Sequence, residues 1–154
     1  MPAFRNARRV RHAAADMFAL VADVERYPEF VPLCQALKVR RREKGESGVE
    51  TLIADMQVGY KAIRETFTSR VTLDRVGLKI VVEYVDGPFS RLENIWNFRD
   101  AASGGGSTVE FYITYEFRSR VLAALMGAMF DSAFRKFSSA FEARADAIYG
   151  RAPA

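Results

Sequence analysis

Soft metal ligands are almost missing from this chain of 154 residues, which has a single cysteine, Cys34, and a single histidine, His12. One cysteine excludes an internal disulfide, and the pair falls short of the four ligands that a structural zinc site takes. No metal and no resident cofactor are expected, and the cysteine usage fits a reducing cytoplasm. Also missing is any run approaching the roughly 18 apolar residues that span a bilayer. A content of 49% hydrophobic and 27% charged residues is that of a water-facing globular chain. Length is not short: 154 residues suffice for one domain, expected over 1–150, that buries a substantial core, with Arg151 to Ala154 as a disordered tail.

Charge is close to balance, with 23 basic against 19 acidic side chains and a net +4. Arg5, Arg8, Arg9 and Arg11 precede the apolar stretch Ala13 to Val24 and superficially resemble a secretory or twin-arginine leader. Asp16 and Asp23 interrupt that stretch, so no cleaved signal is expected. The basic surplus sits in Arg5 to Arg11 and in Lys38, Arg40, Arg41, Arg42 and Lys44. If both segments are strands, their basic side chains gather near one sheet edge. Arg8, Arg9, Lys38, Arg40, Arg41 and Arg42 are then candidate contacts to anionic phospholipid or RNA, with DNA not expected. The plain alternative is edge-strand charge that blocks sheet aggregation.

Periodicity places the elements. Phe4 to Val10 reads as an opening strand and about Ala14 to Asp23 as a helix, with Ala14, Phe18, Val21 and Ala22 on one face. Tyr27-Pro28-Glu29-Phe30-Val31-Pro32 punctuates, because each proline biases its predecessor away from helix, and leaves room for a short helical turn. From residue 36 the period becomes two, with strands at 36–44, 49–58, 61–73, 77–85, 91–100 and 108–117. Turns are expected at Gly45 to Gly48, Gly59, Gly77, Asp86-Gly87-Pro88 and Ser103 to Ser107. The last of these, a glycine run, lacks the Lys-Ser/Thr of a phosphate loop and lies between strands, so it is a hairpin turn. Alternation turns Leu52, Met56, Phe67, Val71, Val82, Tyr84, Leu92, Trp96, Phe98, Phe111 and Tyr115 inward.

The chain then enters one amphipathic helix of nearly 30 residues. At about 100° per residue, Phe130, Phe134, Phe137, Phe141 and Ile148 fall within roughly 60° of one another, with Asp131, Arg135, Glu142 and Asp146 opposite. Strand, two short helices, six antiparallel strands and a long helix make an α+β helix-grip fold, in which a curved sheet of about seven strands packs around the C-terminal helix. The phenylalanine stripe either packs directly on that sheet or lines a cavity against it. A strongly curved sheet is hard to fill along the whole helix, and ligand pockets are mostly apolar and aromatic.

Catalytic groups are sparse. His12 has no nucleophile near it in sequence, Cys34 reads as a small buried hydrophobe, and Asp55 lies in the outward register and reads as solvated. Glu65 falls in the inward register, where a rim position with water suits a carboxylate. Only Glu65, Tyr84 and Tyr115 are candidates for acid–base work inside the fold.

With the elements placed, the chain resembles the START-like superfamily, in the polyketide cyclase/dehydrase-like branch that holds coenzyme Q-binding proteins and RatA-type proteins. The resemblance rests on Leu20 to Cys34, on Phe67-Thr68-Ser69-Arg70-Val71, on Asp86-Gly87-Pro88-Phe89 leading to Leu92 and Trp96-Asn97-Phe98, and on Tyr115-Glu116-Phe117. It implies a START/Bet v 1-like fold and a non-enzymatic carrier or chaperone of ubiquinone or a related isoprenoid lipid, supporting respiration. Such a protein is cytoplasmic or peripheral to the inner membrane. Phe67, Trp96, Phe98, Tyr115, Phe130 and Phe134, with Met56, Val82 and Tyr84, are expected to line the tunnel. Tyr27, Phe30, Val31, Leu33 and Phe89 are expected at its mouth. The same resemblance allows a toxin-like association with the large ribosomal subunit that impairs subunit joining, and, as a third class, an aromatase or cyclase.

Overall fold

In the computed structural model, which describes residues 3–60, 62–102 and 105–150, the period-two segments form seven strands in one antiparallel sheet. The strands are β1 (Ala3–Val10), β2 (Cys34–Lys44), β3 (Val49–Tyr60), β4 (Ile63–Asp74), β5 (Lys79–Asp86), β6 (Phe89–Asp100) and β7 (Ser107–Phe117). Between β1 and β2 lie α1 (Ala14–Ala22) and a short 3₁₀ segment, Val24–Glu29, and α2 (Arg120–Tyr149) ends the fold. Spatial order is β1-β7-β6-β5-β4-β3-β2, so every neighbour except the β1–β7 pair is a sequential hairpin. The expected helix grip is present. The expected tail at 151–154 lies outside the described residues.

Local chemistry fixes the helix ends. The Ser119 hydroxyl accepts the Leu122 N–H at 3.1 Å and caps α2. No side chain at Ala13 caps α1; instead Asp100, at the end of β6, accepts the Ala14 N–H at 2.8 Å. That bond ties the first helix to the sheet it covers. Met126, Phe130, Ala133, Phe134, Ser138, Phe141 and Ala145 form the buried stripe of α2. Ile148, expected in that stripe, is 52% exposed, because the last turn overhangs the sheet and ends on α1 through the Tyr149 hydroxyl and the Asp16 carbonyl. Glu142 and Asp146, expected on the solvent face, instead bind Arg8 and His12, both at 2.7 Å, and stitch the flank of α2 to the β1 side.

Gly59 is a strand residue, not a turn. Its N–H donates to the Leu33 carbonyl at 3.0 Å and the Gln35 side chain occupies the place of a Cβ, so the chain entering β2 crosses directly over it. Among the described glycines Gly106 has the strictest demand: at φ +75° any Cβ would strike the Val10 carbonyl oxygen, where β1 ends against the β6–β7 hairpin. Gly106→Ala is expected to cost about 2 kcal/mol through strain and clash together. A shifted urea midpoint checks this, and an unchanged one contradicts it.

Asp55 also departs from expectation. It is not solvated: Thr68 donates to it at 2.6 Å, Arg40 donates to its other oxygen, and its side chain is only 17% exposed.

Candidate functional site

The inward side chains of the central strands do not meet α2 everywhere. The backbone of α2 approaches β7, β1 and α1 most closely, and over β3 to β6 a cavity of about 90 Å³ remains. Its sheet wall is Ala54, Met56 and Val58 of β3, Phe67, Ser69 and Val71 of β4, Ile80 and Val82 of β5, then Phe89, Leu92, Asn94 and Trp96 of β6, with Ile113 of β7. The helix supplies Phe130, Ala133, Phe134, Phe137 and Phe141. The remaining side comes from the proline-punctuated segment, with Val24, Tyr27, Pro32 and Leu33, and from Leu37 of β2. No charged side chain lies on this wall among the described residues.

Rings set its shape. Trp96 meets Phe141 edge-on at 5.1 Å and Phe111 at 4.7 Å, while Phe89 meets Phe67 at 5.7 Å and Phe130 at 5.6 Å. Drug-sized ligand pockets run to about 300–1,000 Å³, so the resting hollow is smaller than a bulky guest needs. A longer guest would have to displace rings, and those of α2 are the ones mounted on a single helix rather than on a hydrogen-bonded sheet.

The segment from Val24 to Leu33 closes one side and is held from outside. Glu29 accepts from Arg26 and from Arg144 of α2, and these two guanidinium groups, Arg26 first, hold its carboxyl below the usual range. Arg144 also stacks over Phe30 at 5.0 Å. The Tyr27 hydroxyl donates to the Val21 carbonyl at 2.5 Å, and burial raises its pKa. Leu33 takes φ 68°, a left-handed conformation that costs a non-glycine residue on the order of 1 kcal/mol, and so turns its side chain onto the cavity.

Of the residues expected around a ligand, Tyr27, Leu33, Met56, Phe67, Val82, Phe89, Trp96, Phe130 and Phe134 stand on the wall. Phe30, Val31, Tyr84, Phe98 and Tyr115 do not. Phe30 packs outside, between Phe141, Tyr27 and Arg144. Val31 is buried where its N–H donates to the Tyr27 carbonyl at 2.8 Å. The Tyr84 hydroxyl accepts the Phe89 N–H at 3.1 Å and fixes the β5–β6 turn. Phe98 sits under α1, edge-on to Phe18 at 5.8 Å, and Tyr115 backs Phe134 at 5.2 Å. Ser69 and Asn94 were not anticipated on the wall, although both lie in the inward register, between Phe67 and Val71 and between Leu92 and Trp96.

The basic residues do not form one patch. β1 and β2 are the two opposite edges of the sheet, so Arg8 and Arg9 are separated from Lys38 to Arg42. Most are also engaged: Arg8 with Glu142, Arg9 with the Gly105 carbonyl at 2.9 Å, Arg40 with Asp55, Arg41 with Glu43 at 3.6 Å, and Arg42 with Glu25 and Glu50 at 3.2 and 3.1 Å. Lys38 is exposed and has no ion-pair partner among the described residues.

Among the described residues no three His, Cys, Asp or Glu side chains gather as metal ligands. Glu65, half-buried, stands off the cavity wall, as do Tyr84 and Tyr115. Cys34 is 7% exposed and burial pushes its thiol up to about 11. The thiolate is the reactive form, so alkylation by iodoacetamide at pH 8 is expected to be more than tenfold slower on the folded protein than in urea; equal rates contradict this.

The chain resembles known proteins over nearly its whole length. The Ribosome association toxin RatA of Vibrio cholerae is 33% identical over 92% of this chain and 93% of that protein. The mitochondrial Coenzyme Q-binding protein COQ10 homolog B of Xenopus laevis is 32% identical over 88% of this chain and 54% of its own length. The solution structure of an 18 kDa protein of Caulobacter crescentus is 34% identical, with a TM-score of 0.78, and covers 98% of this chain and 100% of that one. A family model described as polyketide cyclase / dehydrase and lipid transport matches residues 10–142. By sequence and by fold, the chain belongs to the polyketide cyclase/dehydrase and lipid transport family.

Proposed function

We propose that the protein binds ubiquinone or a related isoprenoid lipid between the sheet and α2, and carries or chaperones it in support of respiration. The observation that carries this reading is a cavity walled mainly by rings and aliphatic groups, with no charged side chain among the described residues. Likeness to a coenzyme Q-binding protein supports the choice of ligand. Burial of each methylene is worth about 0.8 kcal/mol, so one isoprene unit offsets the displacement of a ring or two from a hollow that is small at rest. Solvent extraction of protein purified from its own host, followed by mass spectrometry, is expected to release an isoprenoid quinone. Extracts without one, together with no uptake of added quinone, contradict the proposal.

The protein would work in the cytoplasm, at the surface of the inner membrane. Among the described residues no helix is long and apolar enough to cross a membrane. The first turns of α2 leave Val121 68% and Leu125 58% exposed, next to Arg118 and Arg120, and this face suits shallow contact with an anionic bilayer better than the divided basic edges do. Flotation with anionic vesicles, lost in Leu125→Glu, is the expected result; flotation unchanged by that substitution assigns the contact elsewhere.

Association with the large ribosomal subunit is the second reading, favoured by the likeness to RatA over more than nine-tenths of both chains. Salt-sensitive cosedimentation with large subunits, lost on charge reversal of Arg40, Arg41 and Arg42, supports it. Sedimentation indifferent to both salt and reversal removes it. Polyketide turnover has the least support, because Glu65, Tyr84 and Tyr115 all stand off the cavity wall.

A further inference from the structure

Two polar side chains interrupt the apolar wall. Ser69 of β4 is 6% exposed, and its hydroxyl has no hydrogen-bond partner among the described residues. Asn94 of β6 is bound on both atoms: Oδ1 accepts the Trp96 Nε1–H at 3.0 Å and Nδ2 donates to the Tyr112 carbonyl at 2.8 Å. Because the indole only donates and the carbonyl only accepts, these two bonds leave one orientation for the amide. Its second N–H is then unspent among the described residues, on a residue that faces the cavity.

Cross-strand register places the pair. Asn94 is opposite Val82, which is opposite Val71, and Ser69 lies one inward position from Val71 on the same face. At about 4.8 Å between strands and about 3.4 Å per residue, their Cα atoms stand on the order of 12 Å apart across mid-sheet. Neither Ser69, which is buried, nor Asn94, which is half-buried, spends these donors on the protein, and a wall built only to exclude water has no use for them.

We infer that Asn94 and Ser69 form a polar subsite for the head of the ligand, which enters head-inward and is neutral and rich in oxygen acceptors, as a quinone ring is. Asn94 donates its remaining N–H to a carbonyl or ether oxygen, and the Ser69 hydroxyl donates to a second acceptor. With no cationic group on the wall among the described residues, carboxylate and phosphate heads are turned away, since nothing described there offsets their charge. This inference rests on the cavity being the ligand site, and adds to it a direction of entry and a class of head group.

The test compares two probes on the full-length protein: ubiquinone with two isoprene units, and the saturated hydrocarbon farnesane, which shares the tail character but has no acceptor. Asn94→Leu and Ser69→Ala are each expected to weaken the quinone about tenfold while leaving farnesane unchanged or slightly tighter. Equal weakening of both probes overturns the subsite in favour of a packing role, and unchanged quinone affinity overturns it outright. Ser69→Ala removes one oxygen and keeps the test valid where loss of the Trp96 and Tyr112 bonds unfolds the Asn94 variant. Wild-type protein that binds neither probe defeats the cavity reading itself, an outcome distinct from failure of the subsite.

Discussion

A phenylalanine at Ala133 is expected to abolish ligand binding while the protein stays folded. Ala133 is 5% exposed on the buried face of α2 and forms part of the cavity wall between Phe130 and Phe137. A benzyl group there has only the hollow of about 90 Å³ to enter. Overpacking costs about 1–3 kcal/mol in a full core, but here the added ring fills empty space, so the cost falls toward zero. Affinity for a short-chain ubiquinone should drop at least about a hundredfold, roughly 2.7 kcal/mol, with the melting temperature within a few degrees of wild type. Ala54→Leu intrudes from the opposite wall and should act in the same direction. Folded Ala133→Phe protein that binds quinone as wild type does would place the ligand elsewhere.

Phe141→Ala is expected to produce the largest loss of stability of any single truncation on the wall. Phe141 is 1% exposed and meets Tyr27, Phe30 and Trp96 at 5.3, 5.1 and 5.1 Å, each near edge-on. It therefore joins α2, the segment before β2 and the centre of the sheet in one aromatic cluster. Truncation of a buried phenylalanine costs about 3–5 kcal/mol, which for a chain of this size lowers the melting temperature by roughly 10–15 °C. A loss under about 1 kcal/mol would mean that the helix is held by its flanks, through Glu142 and Asp146, rather than by its rings. Protein that remains folded should still take up quinone, since the change enlarges the hollow.

Strand and helix identities were legible because they are local. Period two persists through β2 to β7, and the phenylalanine spacing of α2 admits little but a helix with one buried face. Sheet order was not. β1 pairs with β7, with Ala3 opposite Thr114, and nothing near Arg8 or Lys38 in the chain shows that their strands become opposite edges. Gly59 was misread for a related reason: a glycine that makes room for a crossing segment looks, in one dimension, like a glycine that turns.

The candidate site was legible in its apolar part and opaque in its polar part. Phe67, Val82, Trp96, Phe130 and Phe134 follow from alternation and helical spacing alone. Inward-facing aromatics divide between wall and backing layer by the curvature of the sheet, so Tyr115 and Phe98, in the same register as Ile113 and Trp96, ended behind the wall. Ser69 and Asn94 were passed over because only apolar and aromatic side chains were read as lining a ligand. Their period-two positions alone put them inside.

The chain has one tryptophan, Trp96, and it stands on the cavity wall, so its fluorescence is a direct gauge of occupancy. Titration with ubiquinone carrying two isoprene units should quench Trp96 saturably in the wild-type protein and not in Ala133→Phe. Quenching that rises linearly without saturation, and equally in both proteins, would contradict the claim that a guest lies between sheet and helix.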